Sequence, residues 1–261
     1  MPKNALLIID AQYDFCNPKG ALYVQGADKD MERLASFIQQ NIFQIDQIFL
    51  SIDNHLFNDI AHPSFWEDAQ GKTPAPFTSI SSQDIKCGKW KARFEAEKVL
   101  RYVEALEANG KFSHFIWPHH CLIGSLGASI EEKVMEATLG WAKVRGKNYQ
   151  TIHKGLYPYS EHFGIFAAQI PDEKVAETQL NKVLIEELLA FDKVFVAGEA
   201  KSHCVATSIQ QAFDFSPELA QKMVIIEDCM SDVTGLGHLG EPTYQKAKQE
   251  GLRFINAKTL I

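Results

Sequence analysis

The sequence predicts an α/β protein with a doubly wound, mostly parallel sheet in three layers, and three observations carry that expectation. Short, nearly continuous apolar runs recur at 5–10, 47–53, 112–117, 149–154, 193–198, 223–228 and 252–256. Such runs suit parallel strands, which are buried on both faces and need apolar side chains in both directions. Amphipathic helical patterns lie between most of them, and that alternation places helices on both faces of one sheet. Length is the third observation: 261 residues fit one large α/β domain more readily than two small ones.

In chain order, the run 5–10 meets a carboxylate, Asp10, after a handful of apolar residues. It reads as a strand rather than a secretory signal, which needs a longer apolar core and a small-residue cleavage site. A helix at 28–40 places Met31, Leu34, Ala35 and Ile38 on one stripe, and the strand 47–53 ends in Asp53. Gly, Pro, Ser and Thr then cluster across 61–110, where only 94–108 is firmly helical. The chain is therefore expected to be a single domain over 1–261, with an elaborated insert at about 61–111. The insert's aromatics, Phe65, Trp66, Phe77 and Trp90, form either a lid or a small satellite core. Beyond it, 112–117 ends in Trp117 and 149–154 in Lys154. A helix at 177–190 places Leu180, Val183, Leu184 and Leu188 on one side. The run 193–198 leads directly into a helix at 203–213 that holds Cys204.

Composition narrows the function classes. The chain is 46% hydrophobic and 23% charged, which supplies an ordinary globular core. A net charge of −7 argues against nucleic acid or an anionic membrane as the main partner. No apolar run approaches the ~20 residues that span a bilayer. Five cysteines, an odd number without a CxxC pair, suit free thiols and a cytoplasmic location.

In open α/β sheets, function collects beyond the carboxyl ends of the strands. Asp10, Asp53, Trp117, Lys154 and the 199–204 loop all fall at such ends. Cys204 sits where a strand turns tightly into a helix, and the N–H groups and dipole of a helix start favour the nucleophilic thiolate. The same turn offers backbone donors to an oxyanion. An Asp, a Lys and a Cys together make a proton-handling set, in which Asp10 takes the thiol proton and Lys154 balances the two anions. In the extended segment Asp53-Asn54-His55, residues two apart face the same side, so a carboxylate and an imidazole converge as the start of a divalent metal site. His62 and His120 are the further ligand candidates, with His119 and Cys121 as competitors in the Trp117-Pro118-His119-His120-Cys121 segment.

These segments resemble the isochorismatase-like cysteine hydrolases, and within them the nicotinamidase (pyrazinamidase) branch. The matching pieces run in family order from Leu7 to Val205: Leu7-Ile8-Ile9-Asp10-Ala11-Gln12-Tyr13-Asp14-Phe15, Asp53-Asn54-His55, the Trp117 to Cys121 segment, Lys154-Gly155, and Gly198 to Val205. The resemblance implies the isochorismatase-like hydrolase fold, with a six-stranded sheet. It implies Asp10, Lys154 and Cys204 as catalytic triad, and the N–H groups of Ala200 and Cys204 as oxyanion hole. Phe15 and Trp117 correspond to aromatics that sandwich a pyridine ring. Asp53, His55 and His120 correspond to metal ligands, with His62 as a fourth in some members. The bond before Ala200 corresponds to a non-proline cis peptide.

The implied activity is conversion of nicotinamide to nicotinate and ammonia through a thioester on Cys204. The implied cofactor is a divalent metal, zinc first, with iron or manganese as alternatives, and the partner is a small-molecule amide. Closed symmetric assemblies are the default for such proteins, so a homo-oligomer is expected. Departures bear on substrate: Glu199 stands where many relatives carry an aliphatic residue, and Ser202 where Asp or Tyr is frequent in nicotinamidases. The insert and the stretch after Lys154 are also long. The rival readings are a cysteine hydrolase for a carbamoyl or ureidoacrylate substrate, and a non-catalytic metal-binding or interaction protein.

Overall fold

The computed structural model describes residues 2–110 and 113–261. Its strands are β1 (Asn4–Ile9), β2 (Gln47–Asp53), β3 (Trp66–Glu67), β4 (Lys91–Ala92), β5 (Gln150–Lys154), β6 (Lys193–Gly198), β7 (Met223–Ile226) and β8 (Arg253–Ile255). Six of them form one sheet in the order β5-β2-β1-β6-β7-β8, with every neighbouring pair parallel. Strands β3 and β4 pair apart from it as a short antiparallel ribbon.

Strand β1 shows why the runs are apolar throughout. Leu6 and Ile8 enter one core with Ile48, Leu50, Phe195 and Ala197. The alternating residues Ala5, Leu7 and Ile9 enter the opposite core with Phe49, Val194 and Val196. The first core is roofed by the helices Ala27–Gln40 and Glu132–Arg145, through Met31, Leu34, Phe37, Ile38, Val134, Ala137 and Trp141. The second is roofed by Lys182–Leu189, Ala206–Phe215 and Glu241–Gln249. Period-two side chains thus meet period-3.6 stripes on both faces, which makes three layers.

Chain order puts the switch of winding direction at the adjacent strands β1 and β6. From β1 the chain builds outward through β2 to β5, then returns to β6 and builds the other way to β8. A crevice opens beyond the carboxyl ends at such a switch.

Several expectations need correction. The run 112–117 is not a sheet strand. Phe112 lies outside the described residues, and the segment after it pairs locally with the insert through an antiparallel bridge between Ser79 and Phe115. The helix expected at 177–190 is confined to Lys182–Leu189 after a 3-10 turn, and Val183 faces solvent at 65% exposure. Its buried side is Leu184, Ile185 and Leu188. The helix Glu132–Arg145 is not evident in the sequence because its inward stripe includes small or polar Ala137 and Thr138, while Leu139 and Val144 are exposed.

The insert builds its own satellite core from Ile60, Phe65, Trp66, Ile80, Val99, Tyr102, Val103, Leu106 and Ile116, with Trp90 packed against it. Of the four insert aromatics only Phe77 is exposed, at 54%. Core formation therefore accounts for three of them. Among the described residues no helix is long and apolar enough to cross a membrane.

The crossover from β6 to the following turn depends on Gly198. Its φ is +118°, and a Cβ there would lie 1.9 Å from the Ile9 carbonyl oxygen. Both the left-handed backbone and the close strand approach demand glycine. Gly198→Ala is expected to destabilise the protein by about 2–5 kcal/mol, measured by chemical denaturation.

Candidate active site

The sheet delivers its charged residues by register. Asp53 and Lys154 are direct partners at the ends of β2 and β5, and Asp10 leaves β1 one strand further on. Asp10 has φ of +45°, a left-handed turn that an Asp tolerates better than most residues, and this takes the chain out of the sheet. Gln12 clamps the two strand ends: its Nε2 donates to the Asp53 carbonyl at 2.8 Å, and its Oε1 accepts the Asp53 N–H at 2.8 Å.

Lys154 Nζ stands 2.8 Å from Asp10 Oδ2 and 2.8 Å from Asp53 Oδ1. It also donates to the His162 carbonyl at 2.9 Å and lies 3.9 Å from Cys204 Sγ. The Ser51 hydroxyl donates to Asp10 Oδ1 and accepts the Asp10 N–H at 2.9 Å. Asp10, Lys154 and Cys204 are all buried. The three residues expected to handle protons are therefore brought together.

Burial and charge pairing oppose each other at these residues, and the balance differs from one to the next. Burial pushes the Asp10 carboxyl up, with Lys154 pulling it back. Burial also disfavours a charged Lys154, yet Asp10 and Asp53 outweigh it and hold the ammonium well above the usual lysine range. Burial would raise Asp53 as well, but Lys154 and His55 hold it well below the usual carboxylate range. The Cys204 thiol is pushed up by burial while Lys154 stabilises its anion. The resting site therefore favours a neutral thiol beside a carboxyl that can take its proton.

The turn carrying Cys204 is anchored from below. The Glu199–Ala200 peptide is cis, at the position the resemblance implied, and Lys201–Val205 forms a wide π-type turn before the helix Ala206–Phe215. The Lys201 N–H donates to the Ser231 carbonyl at 2.8 Å. The Ser208 hydroxyl donates to the Cys204 carbonyl at 2.7 Å. Glu199 is fully buried, and its Oε2 accepts the Ser231 N–H at 3.0 Å. Burial and the neighbouring Asp30 carboxylate push the Glu199 carboxyl well above its ordinary range. The departure at position 199 thus acts beneath the turn, as a tie to the loop after β7.

Beside this triad, His55, His62 and His120 each bring one ring nitrogen to within 4.8 Å of the others. Asp53 Oδ2 is 3.0 Å from His55 Nε2 and 3.7 Å from His120 Nε2. All four residues are buried. His55 Nδ1 faces Asp59 Oδ2 at 3.1 Å, which orients the ring. Burial disfavours a charged His55, but Asp53 and Asp59 raise it well above the ordinary imidazole range, so their combined field favours a cation here. Burial and the neighbouring rings keep His62 neutral, the form that ligates. Three imidazoles and a carboxylate are a donor set that fits zinc, iron or manganese. His119 and Cys121 stay outside the cluster: His119 stacks on Phe57 and meets Ser64 Oγ at 2.8 Å, and the Cys121 thiol is directed at the Gly127 carbonyl.

A cavity joins the two groups. Its walls include Phe15, Trp117 and Phe163, with Ala200 and Cys204 on one side and Asp53, His55 and His120 on another. Both expected ring-holding aromatics therefore line the same cavity as the thiol. Sequence reasoning missed Ser51, Asp59 and Glu161, the last also in the cavity wall. Asp59 alone carried a signal, four residues beyond His55, but such spacing is too common to single out.

No family model matches the chain. It is similar to the nicotinamidase of Saccharomyces cerevisiae, at 23% identity over 224 residues, which covers 85% of each protein. Among solved structures it superposes on a nicotinamidase/pyrazinamidase of Acinetobacter baumanii with a TM-score of 0.65 at 21% identity, covering 98% of this chain and 97% of that one. It superposes on a pyrazinamidase of Pyrococcus horikoshii in complex with zinc with a TM-score of 0.59 at 18% identity, covering 98% and 99%. These likenesses show the expected three-layer α/β fold along essentially the whole chain.

Two measurements test this geometry. Asp59→Ala frees the His55 ring and is expected to weaken divalent-metal affinity about 10- to 100-fold, read by competition with a chromophoric chelator. Folded Glu199 holds its proton above the pH at which the unfolded chain releases it, near 4.5. Between those two values the folded state binds more protons, so stability falls as pH rises. Glu199→Gln, which keeps an acceptor for Ser231, is expected to flatten that decline in thermal melts taken from mildly acidic to alkaline buffer.

Proposed function

We propose that this chain is an amidohydrolase of the nicotinamidase type, converting nicotinamide to nicotinate and ammonia through a thioester on Cys204. The observation that carries it is Lys154 Nζ, 2.8 Å from Asp10 and Asp53 and 3.9 Å from Cys204, beside a cavity that also holds a metal-ligand cluster. The similarity to the yeast nicotinamidase supports the same reading. Residues 1–261 are read as one catalytic domain, with the 61–111 insert packed as its satellite.

Substrate enters with its ring between Phe15 and Trp117 and its carboxamide toward Cys204. Asp10 accepts the thiol proton, and the thiolate attacks the carbonyl carbon. The oxyanion is held by the N–H groups of Ala200 and Cys204. Asp10 returns its proton to the amide nitrogen, the C–N bond breaks, and ammonia leaves a thioester. Asp10 then takes a proton from water, whose oxygen attacks the thioester, and that proton goes back to sulfur as the acid departs. Lys154 stays charged throughout and holds Asp10 in place while the negative charge moves between oxygen and sulfur.

Asp53, His55 and His120, with His62 as a fourth, are the residues that hold a divalent metal, with zinc first among the candidates. When bound, the metal supplies a Lewis-acid anchor for the ring nitrogen and orients water. The zinc in the Pyrococcus pyrazinamidase structure favours that ion.

Ammonia release from nicotinamide tests the reading. Cys204→Ala is expected to lower kcat by about four orders of magnitude or more, with the fold intact by circular dichroism. Chelation is expected to lower kcat/KM, and added zinc to restore it. Turnover retained by Cys204→Ala would sink the thioester route.

A further inference from the structure

Among the polar groups of the cavity, the metal cluster, Cys204 and Ala200 already have roles. His203 is occupied with Ser202, whose hydroxyl lies 2.8 Å from its Nδ1, and its ring packs edge-on against Trp117 and Phe163. Among the described residues, the Trp117 indole N–H and His162 Nε2 also line the cavity without partners, and Glu161 is the one carboxyl in its wall left without a role. It is 5% exposed and lines the same cavity as Cys204, yet its Oε1 has no hydrogen-bond partner among the described residues.

The backbone around Glu161 is firmly held. Its N–H donates to the Tyr102 hydroxyl at 3.2 Å, and its carbonyl accepts the Gln169 N–H at 2.8 Å. Next along the chain, the His162 carbonyl accepts from Lys154 at 2.9 Å. The backbone that carries the carboxyl is thus tethered on one side to the satellite core and on the other to the catalytic lysine. A buried carboxyl oxygen without a donor costs free energy, and such a group in a pocket wall is matched by a donor on the ligand. The carboxamide end of a ligand is taken by Cys204 and Ala200, and another edge faces Asp53, His55 and His120. The charged groups acting most strongly on Glu161 are His55, Asp59 and Asp53, so it addresses the ring from that side rather than the carboxamide.

We infer that Glu161 is a specificity-determining residue: its Oε1 accepts a hydrogen bond from an N–H or O–H group on the substrate ring. The site then prefers heteroaromatic carboxamides carrying such a donor over equally sized ones without it. This inference rests on the amidohydrolase reading above. A site built around a buried acceptor discriminates strongly, because an analogue lacking the donor leaves the acceptor unpaired.

The test compares nicotinamides carrying a ring amino group with counterparts carrying a ring methyl at the same position. Ammonia release is measured with the zinc-loaded protein, and binding by calorimetry with Cys204→Ala, which cannot turn the amides over. At one or more ring positions the amino compound is expected to be favoured about 10- to 100-fold in kcat/KM and in Kd. Glu161→Leu brings that ratio close to one. Glu161→Gln, isosteric and still an acceptor, leaves an intermediate ratio and guards against a folding defect in the leucine variant.

Equal use of amino and methyl compounds by the unsubstituted protein at every position overturns the inference. So does a ratio unchanged in Glu161→Leu, or an equal loss for both compounds, which would place Glu161 at the shared carboxamide. Absence of ammonia from every amide, with the binding preference intact, would instead remove the thioester reading and leave the recognition role standing. If nothing is bound and nothing is hydrolysed, both fall.

Discussion

A single buried ammonium organises this molecule. Lys154 is held between two carboxylates with almost no solvent, in a place where an uncompensated charge of either sign would be strongly unfavourable. The three groups are stable only together: each carboxylate keeps the lysine charged, and the lysine keeps Asp53 ionised against its own burial. Such clusters contribute little to net stability compared with well-packed apolar residues. Their persistence is better explained by what the arrangement does at Cys204, 3.9 Å away.

The sheet makes this cluster nearly unavoidable. Strands β5, β2, β1 and β6 are consecutive neighbours, and the residues at their carboxyl ends are Lys154, Asp53, Asp10 and the Cys204 turn. Parallel pairing puts Asp53 directly beside Lys154, while Gln12 and Ser51 lock the first strand's end to the second's. Glycine at 198 lets β6 pass close enough to Ile9 for the last member to join. Precision that a loop could not provide comes from strand register and a few buried hydrogen bonds.

That dependence on strand ends explains what could be read from sequence alone. The apolar runs of β1, β2 and β6 stop at Asp10, Asp53 and Glu199, so both the strands and their chemistry were visible in one pattern. Strand β5 is instead a largely polar edge strand in which only Ile152 and Lys154 are buried. The 112–117 run was apolar for a different reason, since Ile116 serves the satellite core, and periodicity does not distinguish the two. Glu132–Arg145 was hidden by an inward stripe containing Ala137 and Thr138. Asp59 and Glu161 were illegible because their importance lies in what they face across space. A lone acid in a loop looks like a solvated one until burial shows otherwise.

Asp53 is the point where the two halves of the proposed site cannot be separated. Its Oδ1 pairs with Lys154, and its Oδ2 faces His55 and His120. Removing its charge would take a ligand from the metal cluster and, at the same time, leave Lys154 with Asp10 as its remaining counter-ion. The potential at Cys204 would then change even if no metal were lost, so inactivity in such a variant assigns neither role. His120 and Asp59 touch the metal side without touching Lys154, and Ser51 touches Asp10 without touching the histidines. Contributions of the metal and of the charge cluster therefore come apart only at residues flanking Asp53, where each neighbour reports on one half alone.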